Sequence, residues 1–213
     1  MINLYDYALS GNCYKVRMLL GFLGQEFESE LVDFYPGFEH KSDAFLRINP
    51  LGQLPVIEMN GQTIRDAQAI LVHLAATLDA GGSWYPLDQP AKLGPIQSWL
   101  AFADGLTSAI SGARLHDAMF FDLPIEKLRA DGLRLLRILD EHLWFQEQAG
   151  CDWLCEGDHP TIADLACFPY VALCEEAGIS QMDYPAIQRW LERFMRLDGF
   201  VPMAGMMPLE MPK

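Results

Sequence analysis

Basic residues are scarce in this sequence: 15 Lys and Arg stand against 29 Asp and Glu among 213 residues, a formal net charge of −14. Binding to nucleic acid is driven by basic groups that displace counterions from phosphates, so so acidic a chain is not read as a nucleic-acid partner. The opening Met1-Ile2-Asn3-Leu4-Tyr5-Asp6 lacks a basic stretch ahead of an apolar segment, and neither a signal nor a transit peptide is expected. No apolar run approaches the roughly 20 residues that span a bilayer, so no membrane partner is expected. The five cysteines, an odd number, lie scattered at 13, 151, 155, 167 and 174, without the dense even spacing of a secreted disulfide framework. Free thiols in a reducing cytoplasm are the expectation. Cys151 and Cys155 are four residues apart, but no second ligand pair accompanies them and no metal site is expected. Apolar residues, in contrast, are plentiful. At 51% hydrophobic and 21% charged the chain lies far from the composition of disorder and supports one large core or two small ones.

Residues 2–7 alternate and are rich in β-formers, which predicts a strand, and Ser10-Gly11-Asn12 reads as a turn. Val16, Leu19, Leu20 and Leu23 fall at i, i+3, i+4 and i+7, the stripe of an amphipathic helix that Gly24 can cap. Alternation over residues 27–34 predicts a second strand. Pro55 then precedes a short β-rich run that closes at Asn60-Gly61, the signature of a hairpin, and a cis bond before Pro55 is a possibility the sequence leaves open. Ile70, Leu71, Leu74 and Leu78 complete an α/β unit over residues 1–78. Residues 79–89, with two glycines and two flanking prolines, read as a linker, and residues 90–213 read as helical throughout. Thr161-Ile162-Ala163-Asp164 supplies a hydroxyl cap and a carboxylate three residues on, a variant of the capping box.

Taken together, the Ser10 to Val16 turn and helix, Asn49-Pro50-Leu51-Gly52-Gln53-Leu54-Pro55-Val56, Asp66-Ala67-Gln68-Ala69-Ile70-Leu71 and Thr161 to Asp164 resemble the cytosolic glutathione transferase superfamily over essentially the whole chain. The resemblance is to bacterial-type members with a serine in the first turn. It implies a thioredoxin-like N-terminal α/β domain, an all-α C-terminal helical bundle, a homodimer, and glutathione as co-substrate. It also implies that the nucleophile is the glutathione sulfur, which the protein must hold as a thiolate. A free thiol titrates near 8.5, and a hydroxyl donor at a helix N-terminus lowers that value.

Ser10 is the leading candidate for thiolate stabiliser. Tyr5 and Tyr7 lie near the catalytic phenol of the tyrosine-type classes, although the alignment puts Asp6 at that position. Cys13 occupies the place of the second cysteine of a glutaredoxin-like pair and is the possible redox residue. By position, Val56 after Pro55 would pair its backbone with the cysteinyl part of glutathione. Gln53 and Leu54 precede it, and Asp66 takes the place of the usual Glu or Gln at the γ-glutamyl end. Ala67 replaces the usual Ser. The hydrogen bond so lost, worth about 1.5–3 kcal/mol to a charged group, predicts binding weaker by roughly ten- to a hundredfold. Gln53, Lys15 and His40 are candidates for the glycine end. Trp99, Phe102, Leu106, Met119, Phe120 and Phe121 are candidates for an apolar electrophile pocket, with His116 the one imidazole placed for acid-base work. The tail, with Met203, Met206 and Met207, is expected to cover the helical half or the pocket mouth.

The function so implied is attack of the glutathione thiolate on a small hydrophobic electrophile. Alternatives are a glutathione-dependent isomerase, a thiol-disulfide or peroxide reductase, and a non-catalytic module that binds ligands or a protein. Both halves are acidic, net −5 over residues 1–80 and −9 beyond. A site for anionic glutathione must therefore work by local dipoles and backbone donors.

Overall fold

The alternation of apolar and polar residues in Ile2-Asn3-Leu4-Tyr5-Asp6 is realised as strand β1 (Ile2–Asp6), with Ile2, Leu4 and Asp6 buried. The computed structural model describes residues 1–203, so Met206 and Met207 lie outside the described residues. Helix α1 (Gly11–Phe22) follows and returns the chain to β2 (Glu28–Leu31), which pairs parallel with β1. A parallel pair needs such a crossover. A short 3-10 turn (Glu39–Lys41) and α2 (Asp43–Ile48) lead to the antiparallel hairpin β3 (Val56–Met59) and β4 (Gln62–Arg65), then to α3 (Ala67–Leu78). The sheet order is β2-β1-β3-β4, with Tyr5 of β1 opposite Val56 of β3. At the hairpin tip Asn60 and Gly61 have φ of 52° and 76°, the pair of left-handed residues that a two-residue turn requires. The second strand is shorter than the alternation over residues 27–34 predicts. Val32 leaves the sheet edge to pack with Phe45 and Val56 in a small separate core.

After α3 the chain crosses residues 79–89 without helix and enters the all-helical half. The crossing is pinned: the Trp84 amide donates to the Asp79 carboxylate at 2.7 Å, and the Ile162 amide donates to the Trp84 carbonyl at 2.9 Å. Helix α4 (Pro90–Leu106) continues through a π turn (Thr107–Ser111) into α5 (Gly112–Met119), followed by α6 (Ile125–Gln148), α7 (Ile162–Ala172), a 3-10 turn (Cys174–Ala177) and α8 (Pro185–Met195). The sequence reading leaves α5 out; it is a continuation of α4 rather than a separately signalled helix. Among the described residues no helix is long and apolar enough to cross a membrane. No group of three or more His, Cys, Asp or Glu gathers there as metal ligands would.

Helix α7 is the central strut. It packs on α4 within the helical half and on α1 and α3 of the α/β half. Its start is set by the expected box. The Thr161 hydroxyl accepts from the Ala163 amide at 3.2 Å, and Asp164 accepts from the Thr161 amide at 2.9 Å. Asp164 is fully buried and also accepts from the Leu154 amide at 2.9 Å and the Trp190 indole at 3.0 Å. A buried carboxylate persists only when so satisfied. Where α7 meets α1, a Cβ on Gly11 would lie 2.8 Å from the Tyr170 ring, so only glycine admits this approach.

Candidate functional site

Between the two halves lies a cleft of about 570 Å³ with one wall from each. On the α/β wall, Ser10 caps α1 with extended backbone (φ −81°, ψ 117°), and its hydroxyl oxygen accepts from the Cys13 amide at 3.2 Å. The oxygen is engaged as acceptor and its proton remains to be donated. Ser10 lines the cleft, beside first-turn N–H groups that have no intrahelical partner. Tyr7 also lines it, against Phe34, and burial with nearby Asp33 raises its phenol pKa. Tyr5 lies away from the cleft, edge-on to Phe45. Asp6 is buried and paired with Arg17 and the Ser29 hydroxyl. Cys13 is fully buried, outside the cleft lining, and burial pushes its thiol up to about 12. It is held as a protonated thiol shielded from solvent, and the redox role proposed for it from sequence has no accessible sulfur.

Gln53, Leu54 and Pro55 line the cleft where the Leu54–Pro55 bond is cis. Val56 does not, which corrects the expected backbone contact. β3 is an inner strand, and Val56 stands opposite Tyr5 on one side and Arg65 on the other, so it offers no free edge. Leu54, two residues ahead of β3, does line the cleft. His40 lines the cleft with only 3% of its surface exposed, stacked on Phe34 at 4.1 Å, its Nδ1 buried without a partner among the described residues. Lys41, which the sequence reading passed over, also lines it, held by the Gly52 carbonyl at 3.0 Å.

Lys15, grouped with His40 from sequence, is elsewhere. It is fully buried between the halves, donates to the Thr107 hydroxyl at 3.3 Å and sits 5.1 Å over the Tyr170 ring. Burial lowers its pKa to about 8.

Asp66 and Ala67 complete this wall. Asp66 caps α3 by accepting from the Ala69 amide at 3.0 Å, with φ 75° and ψ 126°. A non-glycine residue there carries strain of about 1–3 kcal/mol, and such outliers gather at ligand sites. Ala67 begins α3, where its amide is one of the unpaired first-turn donors.

The helical wall departs from the apolar pocket expected. Trp99, Phe102 and Leu106 face away from the cleft: Trp99 and Phe102 pack on each other at 4.9 Å, and Leu106 is fully buried. His116 pairs with Asp117 at 2.8 Å outside the cleft, and Phe120, 83% exposed, points to solvent. Met119 and Phe121 do line it. The residues that α4, the π turn and α5 turn toward the opening are Asp104, Thr107, Ser108, Ser111, Arg114, Leu115 and Ala118. Their spacing of three and four is the face of one helix, and it is a polar stripe legible in the sequence though passed over. The Asp104 carboxylate accepts from Gln68 of α3, and burial and neighbouring Asp66 raise its pKa. Asn12 and Tyr170 line the junction of the two walls.

This geometry can hold an anionic thiolate at the start of α1 and a peptide-like ligand along the α/β wall. Known proteins share it. The model described as "Glutathione S-transferase, N-terminal domain" matches residues 4–80, and that described as "Glutathione S-transferase, C-terminal domain" matches residues 124–193. A crystal structure of glutathione S-transferase from Pseudomonas fluorescens is similar with a TM-score of 0.83 and 30% identity, over 95% of this chain and 98% of that one. The structure titled "Ure2p in Complex with Glutathione" has a TM-score of 0.81 and 27% identity, over 93% of this chain and 95% of that one. The transcriptional regulator URE2 of Saccharomyces cerevisiae is 26% identical over 91% of this chain. This chain spans 64% of the length of the URE2 proteins of Saccharomyces cerevisiae and Eremothecium gossypii.

Proposed function

The chain belongs to the glutathione S-transferase family, and from that premise we propose that its cleft binds glutathione and activates the thiol for attack on a small electrophile. The observation that carries this reading is Ser10, open to the cleft at the cap of α1 with its acceptor oxygen already engaged by the Cys13 amide. The hydroxyl donates to the sulfur, and the first-turn N–H groups add the favourable end of the helix dipole, so the thiolate forms near neutral pH. This is the serine-type arrangement. Sulfur then bonds to the electrophilic carbon as the leaving group departs with its electron pair.

The rest of glutathione lies along the α/β wall. Leu54 pairs its backbone with the cysteinyl unit, and the γ-glutamyl carboxylate meets the amide of Ala67 while its ammonium meets Asp66 and Asp104. The glycine carboxylate meets Lys41, His40 and Gln53. A homodimer belongs to the same reading, checked by sedimentation.

Calorimetric titration with glutathione, followed by turnover of 1-chloro-2,4-dinitrobenzene, tests it. Binding and turnover are expected, with kcat/KM lowered by about 10–100-fold in Ser10→Ala, the worth of one hydrogen bond to a charged group. No binding at millimolar glutathione overturns the reading. Binding without turnover favours the second reading, a glutathione-binding module without catalysis. Two observations support that alternative: a relative is named a transcriptional regulator, and Ala67 lacks a side-chain donor.

A further inference from the structure

The polar stripe on the helical wall carries opposite charges at its two ends. At one end Asp104 engages Gln68 of α3 and lies near Asp66, beside the γ-glutamyl position. At the other end stands Arg114 of α5. Ten residues of helical rise separate them, roughly 15 Å. The charged groups assigned to glutathione are all met without Arg114. Its two carboxylates have Lys41, His40 and the Ala67 amide, and its ammonium has the two aspartates. Arg114, which lines the cleft, thus has no part in holding the first ligand.

Arg114 is held in a fixed orientation. Its Nε and Nη2 both contact the same oxygen of Glu176, Oε2, at 2.8 and 2.7 Å, while Nη1 has no hydrogen-bond partner among the described residues. The Arg114 side chain is only 12% exposed, against 35% for Glu176. The ion pair therefore locks the plane of the fork and leaves one nitrogen for a ligand. Tyr170 ties this position to the chemistry. Its ring lies against Gly11 at the start of α1, and it lines the cleft together with Asn12, Ser111 and Arg114. Arg114 therefore shares the cleft with the residue that packs on the start of α1. Around it the cleft supplies the hydroxyls of Ser108 and Ser111 and the Asn12 amide, whose oxygen accepts from Thr107 at 3.4 Å and whose nitrogen is a donor. An apolar electrophile would leave this group of donors uncompensated.

We propose that the second substrate is a small electrophile bearing a carboxylate, which docks on Nη1 of Arg114 with Ser111 and Asn12 and so sets its reactive carbon over the first turn of α1. The assignment rests on the glutathione reading above and specifies the co-substrate of the same site. A monoanion suits a guanidinium already paired with Glu176 better than a phosphate dianion does, because Asp104, Asp66 and the net charge of −14 oppose further negative charge. Leu115, Met119 and Phe121, farther along the same wall, take the apolar body of the molecule.

The test is a binding comparison that needs no turnover: calorimetry of glutathione, S-benzylglutathione and S-(4-carboxybenzyl)glutathione. The carboxybenzyl conjugate is expected to bind about tenfold more tightly than the benzyl conjugate, the usual worth of a charge-assisted hydrogen bond. In Arg114→Gln that ratio falls to near one, and Arg114→Lys, which keeps the charge but not the fork, restores part of it. Equal affinities in the unaltered protein overturn the inference without recourse to any variant, as does a ratio that survives Arg114→Gln. If glutathione and both conjugates fail to bind, the glutathione reading itself fails and this inference falls with it. If glutathione binds and the conjugates do not differ, only this inference fails.

Discussion

The two walls of the cleft present polar groups by different means. On the α/β wall they are backbone groups and caps, the first turn of α1, the Leu54 peptide before a cis bond and the first turn of α3 behind the strained Asp66, joined by the side chains of His40, Lys41 and Gln53. On the helical wall they are side chains, Asp104, Thr107, Ser108, Ser111 and Arg114, brought to one face by a rod that passes through a π turn. Backbone donors recognise the invariant parts of a peptide whatever the side chain, and side chains select among small molecules. The difference explains why one wall resembles a family in short motifs while the other does not.

The largest expected effect separates the walls by disturbing one of them. Asp164→Ala removes the acceptor for two backbone amides and the Trp190 indole at the start of α7, which carries Tyr170 into the cleft. It is expected to destabilise the protein by about 3–5 kcal/mol in urea unfolding, since three buried donors lose their acceptor at about 1–3 kcal/mol each. A loss below ~1 kcal/mol means that packing alone positions α7.

Ala67→Ser sharpens the other side. Adding a hydroxyl donor at the start of α3 is expected to tighten glutathione binding by about 10–100-fold, read by calorimetry. An unchanged affinity means that the backbone amides of that turn already satisfy the ligand.

The smallest effect lies where the walls join, at Lys15. With its folded pKa lowered to about 8 by burial, against an unfolded value of ~10.4, the native state gives up the proton first as pH rises. The unfolded state then binds more protons, so this group makes stability increase between about pH 8 and 10. Lys15→Met abolishes that contribution and is expected to be within about 1 kcal/mol of neutral, or stabilising, at pH 7, since a buried charge is exchanged for an apolar side chain. Thermal midpoints of both proteins at pH 7 and 9.5 check it. A parallel pH dependence in the two proteins would show that Lys15 carries none of the trend.

Much of the fold was legible because it is local. Asn60-Gly61 specifies its own turn, Thr161 and Asp164 close a box over three residues, and the apolar stripe of α1 faces the core wherever the helix forms. The lining of the cleft was legible where it depends on such local geometry, at Ser10, Gln53, Leu54, Pro55, Asp66 and Ala67. Val56 lies two residues beyond Leu54, inside β3, and whether its backbone is free depends on β4 pairing along its other side. The sequence suggests Trp99, Phe102 and Leu106 for the pocket because aromatic and aliphatic residues suit one. They instead fill the opposite face of the helix, and the polar face is the one that opens.

The sequence by itself determined the two-part architecture and the places where an anion can meet a helix start, since caps, turns and periodicity act over a few residues. Which face of the α4 to α5 rod lines the cleft, that Lys15 is buried rather than exposed, and that Arg114 keeps one nitrogen unbound were decided only in the tertiary structure. Each depends on how α7 docks α1 against the helical half, and that packing joins residues as far apart as Gly11 and Tyr170.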